Sequence, residues 1–483
     1  MLFNSFDFAV FLPLVFLLYW FVFQKNIRIQ NLLVAVASYV FYGWWDWRFL
    51  FLLLFSSVVD FTIGRRMDRT ADEKSRKQLL YLSLVVNLGL LGFFKYYNFF
   101  VDSFAQTFTF FGMSLDSWTL DIILPVGISF YTFQTLSYTI DVYRGNLKPT
   151  DDFVAFSAFV SFFPQLVAGP IERATNLLPQ FHRERTFDYG LAVNGMRQIL
   201  WGMFKKVVVA DNCALFVTDI FGNNADYSGS TLVLGAVFFA IQIYCDFSGY
   251  SDIAIGVARL FGFDLMRNFA YPYFSRDIGE FWRRWHISLS TWFRDYLYIP
   301  LGGSRGSTAM KVRNTFIIFV VSGFWHGANW TFVIWGALNA LYFLPLLLFD
   351  RNRRNLDTVA EGRWLPSLRE TWGMASTFAL TVLAWVFFRA DNLSHAIEYL
   401  SGMFSSSLFS TVRFKTLSAD NLLVIPFILL LFGIEWWARE DQFGLERFGL
   451  GWWRPLRWAF YFVLMTSIIV LSQVQQQFIY FQF

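Results

Sequence analysis

Apolar runs recur along this chain at close to the length that a helix needs to cross a lipid bilayer, about 20 residues. They centre on 6–23, 30–45, 48–63, 79–100, 122–140, 153–169, 191–222, 229–255, 314–349, 373–388, 421–437 and 457–473. Backbone inside lipid must satisfy its own N–H and C=O groups, so such runs fold as helices rather than as open sheets. Of 483 residues, 56% are hydrophobic and 15% are charged, against about 25% charged in a soluble domain. Too few charges remain to cover a water-soluble particle of this size. A soluble enzyme, a disordered chain and a fibrous protein are excluded. The expected fold is an all-α polytopic membrane protein with about eleven crossings and a few segments that enter the bilayer without crossing it. No linker, repeat or soluble domain stands out, so 1–483 reads as a single integral-membrane domain.

Basic residues orient the chain. Met1 to Asn4 carries no Lys or Arg, unlike the basic start of a secretory signal, so the first run is expected to remain as a transmembrane helix. Arg65, Arg66, Arg69, Lys74, Arg76 and Lys77 follow the third run, and the loop 101–121 after the fourth carries no basic residue. Arg351, Arg353, Arg354, Arg363 and Arg369 form a later basic loop, and 256–313 is the widest basic region. The positive-inside rule places these loops in the cytoplasm and both termini outside. A net charge of +4 is too small to suggest nucleic-acid binding. Cys213 and Cys245 lie in apolar stretches and read as buried thiols, with no metal site.

Two of the four histidines stand where chemistry could reside. From Asn314 to Phe349 there is no formal charge, and Gly323, Gly327 and Asn329 interrupt the run around His326. This predicts a break between two helical pieces at membrane depth, tolerated only inside protein or beside a watery cavity. An ionisable residue at such a break is a functional candidate; a neutral core histidine is the alternative. His286 lies in Phe281-Trp282-Arg283-Arg284-Trp285-His286-Ile287-Ser288-Leu289-Ser290-Thr291-Trp292-Phe293-Arg294-Asp295-Tyr296. Wound as one helix, this segment has an aromatic face with His286 and Ser290 at its edge and arginines beyond. That suits a membrane interface or a tunnel rim, although its arginines fit simple positive-inside anchoring too. Asp246 and Asp252, six apart, are expected to cap a helix, and Leu301 to Gly306 forms a Gly-rich basic turn. The residues alone leave three classes open. These are an intramembrane transferase, a transporter or channel, and a haem or quinone protein with His286 and His326 as axial ligands.

The same motifs resemble the membrane-bound O-acyltransferase family, most closely its bacterial branch of alginate O-acetylation subunits. They are Ala37 to Tyr42, Leu124 to Tyr131, Ala168 to Ile171, Asp246 to Asp252, Phe281 to Tyr296, Gly323 to Ala328, Trp385 to Ala390 and Phe478 to Phe483, in one order along the chain. The resemblance implies tilted helices around a central tunnel, with His326 as the family's essential histidine and His286 at its second active-site position. It implies acetyl-CoA as the donor substrate, with no bound cofactor, arriving from the cytoplasmic side of the bacterial inner membrane. It further implies an acetyl group passed outward to a periplasmic SGNH-hydrolase-like acetyltransferase that modifies a secreted exopolysaccharide. Alginate, cellulose and a cell-wall polymer are all open as acceptors.

On that reading His326 is the general base for an acceptor hydroxyl, and His286 orients the acceptor or stabilises the oxyanion. Arg283, Arg284, Arg294 and Arg305 are donor-binding candidates, since Arg pairs well with phosphate. Trp325, Asn329, Ser290 and Trp282 are tunnel-lining candidates. The Phe-rich segment 404–414 and the Phe478–Phe483 tail are candidate docking surfaces for the partner.

Overall fold

Lipid-length apolar runs with few helix breakers leave the backbone one solution, and the computed structural model is helical throughout, with no strand among the described residues. The structure describes residues 1–110, 118–414, 422–472, 476, 478 and 479. Among these, six helices are long and apolar enough to span a membrane: Trp47–Arg69, Glu73–Thr109, Gly229–Leu260, Trp330–Leu348, Leu368–Arg389 and Arg454–Leu471. Phe6–Val22, Phe153–Leu166 and Val424–Trp437 are shorter apolar helices. Arg454–Leu471 turns Leu456, Trp458, Phe462, Ile469 and Val470 outward, as expected of a helix whose solvent is lipid tails. The chain is a multi-pass membrane protein, and it divides into two compact units.

The first unit is Met1–Gly195 with Val257–Met266. Its apolar helices enclose a polar knot. The buried Asp60 carboxylate accepts from Ser83 Oγ at 2.6 Å and from Asn87 Nδ2 at 2.8 Å, while Ser56 and Thr135 donate to Asn87 Oδ1 at 2.9 and 3.1 Å. These buried side chains satisfy one another and pin three helices together. Gly127, at φ +75°, makes the turn that starts the helix Ile128–Tyr143.

The second unit is Met196–Gly256 with Arg267–Phe483. At its centre the uncharged stretch expected to break near His326 does so. One helix, Thr308–His326, ends on the histidine, and a second, Trp330–Leu348, begins after Asn329. The two pack back on each other at close range. A Cβ on Gly323 would overlap the Phe332 carbonyl, and one on Gly336 would overlap that of Phe319. Small residues at a helix contact allow this approach. Leu368–Arg389, opened by a Ser367–Glu370 capping box, brings Trp385 and Phe388 to the same core.

Asp246 and Asp252 are not caps. Both are buried inside the 32-residue helix Gly229–Leu260, where Asp246 pairs with Lys206 at 2.7 Å and Asp252 with Lys205 at 2.6 Å. Lys206 also pairs with Asp211 at 2.7 Å. The lysines lie in Phe204–Ala210, a stretch wound wider than an α-helix. A Cβ on Gly249 would meet the Gly202 carbonyl at 2.8 Å, so the two backbones cross closely enough for each lysine to reach its aspartate. Six residues turn the α-helix to about 120° from the starting face, and the two adjacent lysines of the wider coil each meet one of the two aspartates. Cys213 and Cys245 are buried free thiols in the same unit.

Candidate active site

The segment 281–296 is not one helix. Ile278–Arg284 and Ile287–Phe293 are two short helices broken at Trp285 and His286, and His286 has the left-handed φ of +43°. Segment 268–270 takes up the backbone groups that the break frees: Ala270 N donates to Arg284 O and Ile287 N to Asn268 O, each at 2.9 Å. A left-handed backbone without glycine costs of order 1–3 kcal/mol and tends to gather at functional sites. Here it turns the imidazole inward.

His286 and His326 come together, with ring centroids 6.4 Å apart and both side chains buried. Aromatic rings enclose them. Phe247 stands edge-on to His286 at 4.5 Å, Trp335 and Phe388 each lie 5.3 Å from His326, and Trp325 lies 6.1 and 5.0 Å from the two imidazoles. His286 Nδ1 is 3.1 Å from Asn268 Oδ1. Its Nε2 is buried and makes no hydrogen bond among the described residues. Burial in this apolar surrounding pushes the His286 pKa down, which keeps the ring neutral at physiological pH.

A cavity of about 460 Å³ is lined by Trp282, Arg283, Ser290, Arg294, Ser322 and Arg353 among others, a size suited to a small-molecule ligand, and neither histidine is among its lining residues. Ser322 stands one helical turn before His326, on the same face. Trp282 packs at 5.7 Å on Trp335, the ring that touches His326. Of the four arginines expected to meet a donor, Arg283 and Arg294 line this cavity; Arg284 and Arg305 do not. Arg284 instead pairs with the buried Glu280 at 2.8 Å, and Arg305 is exposed on the Gly-rich turn. Arg283 donates to the carbonyls of Asn352 and Asn355 at 2.7 and 2.6 Å, fastening the loop that brings in Arg353. Arg276 holds the same loop through Asp357 at 3.0 Å, and its hydrogen bonds keep that carboxyl below the usual carboxylate range.

Ser290 and Trp282 line the cavity; Trp325 packs against both imidazoles, 6.1 and 5.0 Å away, and is not among the lining residues. Asn329 does something else: it caps the helix Trp330–Leu348, accepting from Thr331 N at 3.0 Å, and donates to Asp391 O at 2.9 Å. The sequence reading singled out Asp246 and Asp252 but not Lys205, Lys206 or Asn268, and gave Arg353 no site role. Two adjacent lysines inside an apolar run were a readable signal for the cluster. Nothing in the sequence marked Asn268, whose contact with His286 is made eighteen residues away.

The sequence model of the membrane-bound O-acyltransferase family matches residues 148–387. "Probable alginate O-acetylase AlgI" of Pseudomonas aeruginosa is 42% identical over 448 residues, covering 91% of this chain and 80% of the relative. "Peptidoglycan O-acetyltransferase" of Helicobacter pylori is 37% identical over 433 residues, covering 83% and 80%. This chain belongs to the membrane-bound O-acyltransferase family. More distantly, "Teichoic acid D-alanyltransferase" of Streptococcus thermophilus is 28% identical over 294 residues, 56% of this chain and 69% of that protein. The family is one of acyl-transferring enzymes, so of the three classes left open by the residues the transferase stands. The family match covers His286, His326 and every residue named above as lining the cavity.

Proposed function

We propose that this acyltransferase moves acetyl groups from acetyl-CoA, for O-acetylation of a secreted polysaccharide of the alginate type. The observation that carries the reading is the buried His286–His326 pair, joined through Ser322, one turn before His326, to a cavity bordered by Arg283, Arg294 and Arg353. The relatives' names supply the acyl group and the acceptor class: one is named for acetylating alginate, another for peptidoglycan. Cationic guanidinium groups at the cavity suit the phosphates of coenzyme A, and the positive-inside rule supports reading the side with the basic loops as the cytoplasmic face of a bacterial inner membrane. Between the imidazoles, one task is to take the proton of the attacking hydroxyl and the other is to hold a reactant. The sequence reading gives the first to His326 and the second to His286.

A polymer modified outside the membrane does not meet a donor held in the cytosol, so the acetyl group is handed outward to a periplasmic, SGNH-hydrolase-like acetyltransferase. Of the two candidate docking surfaces, 404–414 presents exposed Phe404 and Phe409. In the tail, Phe478 and Ile479 are buried, with Phe478 4.5 Å from Tyr250, while 480–483 lie outside the described residues. Docking is therefore assigned to 404–409, and both termini to the periplasmic side.

Reconstitution tests this. In liposomes with acetyl-CoA on the face of the basic loops and alginate on the other, the chain alone should acetylate alginate negligibly and should do so with the partner added. Efficient acetylation by the chain alone would overturn the relay.

A further inference from the structure

We propose that the second unit carries a seat for the phosphate of an anionic phospholipid, between the turn Gly362–Trp364 and the end of the helix Val424–Trp437. The seat shares no lining residue with the larger cavity described above.

The turn and the helix end are fastened to each other. Trp436 Nε1 donates to Trp364 O at 3.0 Å, and Arg439 donates from Nε to Val359 O at 3.0 Å and from Nη1 to Trp436 O at 2.8 Å. Its Nη2 donates to the carbonyls of Ala360 and Arg363. Between turn and helix end is a cavity of about 240 Å³, lined by Gly362, Arg363, Trp364, Trp437, Arg439 and Glu440. Gly362, at φ +67°, leaves open space where a side chain would stand. A wall held this firmly loses little freedom when it binds a ligand.

Charge sets the sign of that ligand. Arg439 spends its hydrogen bonds on neutral carbonyls and makes no ion pair among the described residues, so its donors are held while its charge is not cancelled. The Trp436 ring lies 4.9 Å from the guanidinium and leaves the charge in place. Arg363 is exposed and shares one carboxylate, Glu370, with Arg276, at 2.9 and 3.6 Å. Glu440 is the one carboxylate of the lining. Two guanidiniums against one carboxylate leave a positive wall, and an arginine fork matches the oxygens of a phosphate. Glu440 suits a hydroxyl donor of a glycerol headgroup and disfavours a second phosphate.

The surroundings select a lipid over a dissolved anion. The span Leu368–Arg389 begins just past Trp364, and the apolar helix Val424–Trp437 ends on the lining residue Trp437. Trp364 and Leu365 are exposed, and so are Leu368 and Trp372, one turn apart on a single helix face. Large apolar side chains turned outward beside a basic cavity suit acyl chains below a headgroup, and Trp collects at headgroup level. Arg351, Arg353, Arg354, Arg363 and Arg369 crowd the adjoining loop. Basic pockets between spans on the cytoplasmic side are where anionic headgroups bind.

The test is lipid binding by the full-length chain in a neutral detergent, read by native mass spectrometry and by thermal unfolding. Phosphatidylglycerol should stay bound and raise Tm. Phosphatidylcholine, phosphatidylethanolamine and inorganic phosphate at the same concentration should do neither. Arg363→Gln should weaken phosphatidylglycerol binding about tenfold, the order of one lost charge-assisted hydrogen bond. Trp364→Ala should weaken it by less. Arg305→Gln, at an exposed arginine of the Gly-rich turn, should leave it unchanged. Arg439→Gln also frees the turn, so Arg363→Gln decides. Equal binding of the zwitterionic lipids would reduce the seat to ordinary lipid-facing surface, and equal stabilisation by inorganic phosphate would make it a free-anion site. Equal losses in Arg363→Gln and Arg305→Gln would make it a diffuse basic surface. Each of these three results overturns the proposal.

Discussion

Two buried polar clusters in the second unit are built on opposite terms. Around Lys205 and Lys206, every cation has a carboxylate: Lys206 lies 2.7 Å from both Asp211 and Asp246, and Lys205 lies 2.6 Å from Asp252. Further polar groups complete the set, Gln198 donating to Asp252 and Ser248 Oγ accepting from Lys205. Around His286, aromatic rings replace the counter-charges, and Nε2 makes no hydrogen bond among the described residues. A buried charge that only has to stay folded needs full compensation. A group that must bind a reactant keeps one position open. Completeness of pairing thus separates the structural cluster from the reactive one, although both are equally buried.

The comparison predicts that the two clusters break in different currencies. His326→Ala should lower acetyl transfer by about two to four orders of magnitude, the range of a lost acid–base or positioning group. Its thermal unfolding in detergent should stay close to wild type. An enzyme that keeps wild-type transfer rates would remove His326 from the site.

Lys206→Met should do the reverse. It leaves Asp211 and Asp246 buried without their shared cation, and breaking a buried pair costs about 3–5 kcal/mol. Little folded protein should be recovered, and what is recovered should melt early. Adding Asp246→Asn should restore part of the loss, because one uncompensated charge goes. If Lys206→Met folds normally but transfers no acetyl, the cluster belongs to the chemistry and the contrast fails.

The sequence disclosed these regions unequally, for physical reasons. The break at His326 was legible because an uncharged run too long for one span contained Gly323, Gly327 and Asn329, and the structure ends and restarts its helices there. The break at His286 was not. Aromatic residues continue at helical spacing through 281–296, and no Gly or Pro marks the left-handed turn. Tertiary hydrogen bonds from Asn268 and Ala270 impose it. Asp246 and Asp252 were visible as a carboxylate pair, but their lysines lie some forty residues earlier on a crossing that depends on Gly202 and Gly249. Local pattern reports where a helix stops for its own reasons; it does not report where a neighbour stops it.

The smallest expected effect tests the same distinction among the arginines. Arg283 and Arg294 line the cavity; Arg284 is tied to buried Glu280, and Arg305 is exposed and not among the lining residues. If cavity position decides, Arg283→Gln with Arg294→Gln should raise KM for acetyl-CoA about tenfold and leave kcat nearly unchanged, because a contact to the donor's phosphates is the same in the ground and transition states. About tenfold corresponds to about 1.4 kcal/mol, the order of one lost charge-assisted hydrogen bond. Arg284→Gln should leave KM alone and lower stability instead, since among the described residues Glu280 then keeps Arg276, at 3.0 Å, as its one cation. Arg305→Gln should change neither. A KM that rises equally in all of these variants would show the arginines acting as a diffuse basic surface, and the cavity would lose its assignment as the donor site.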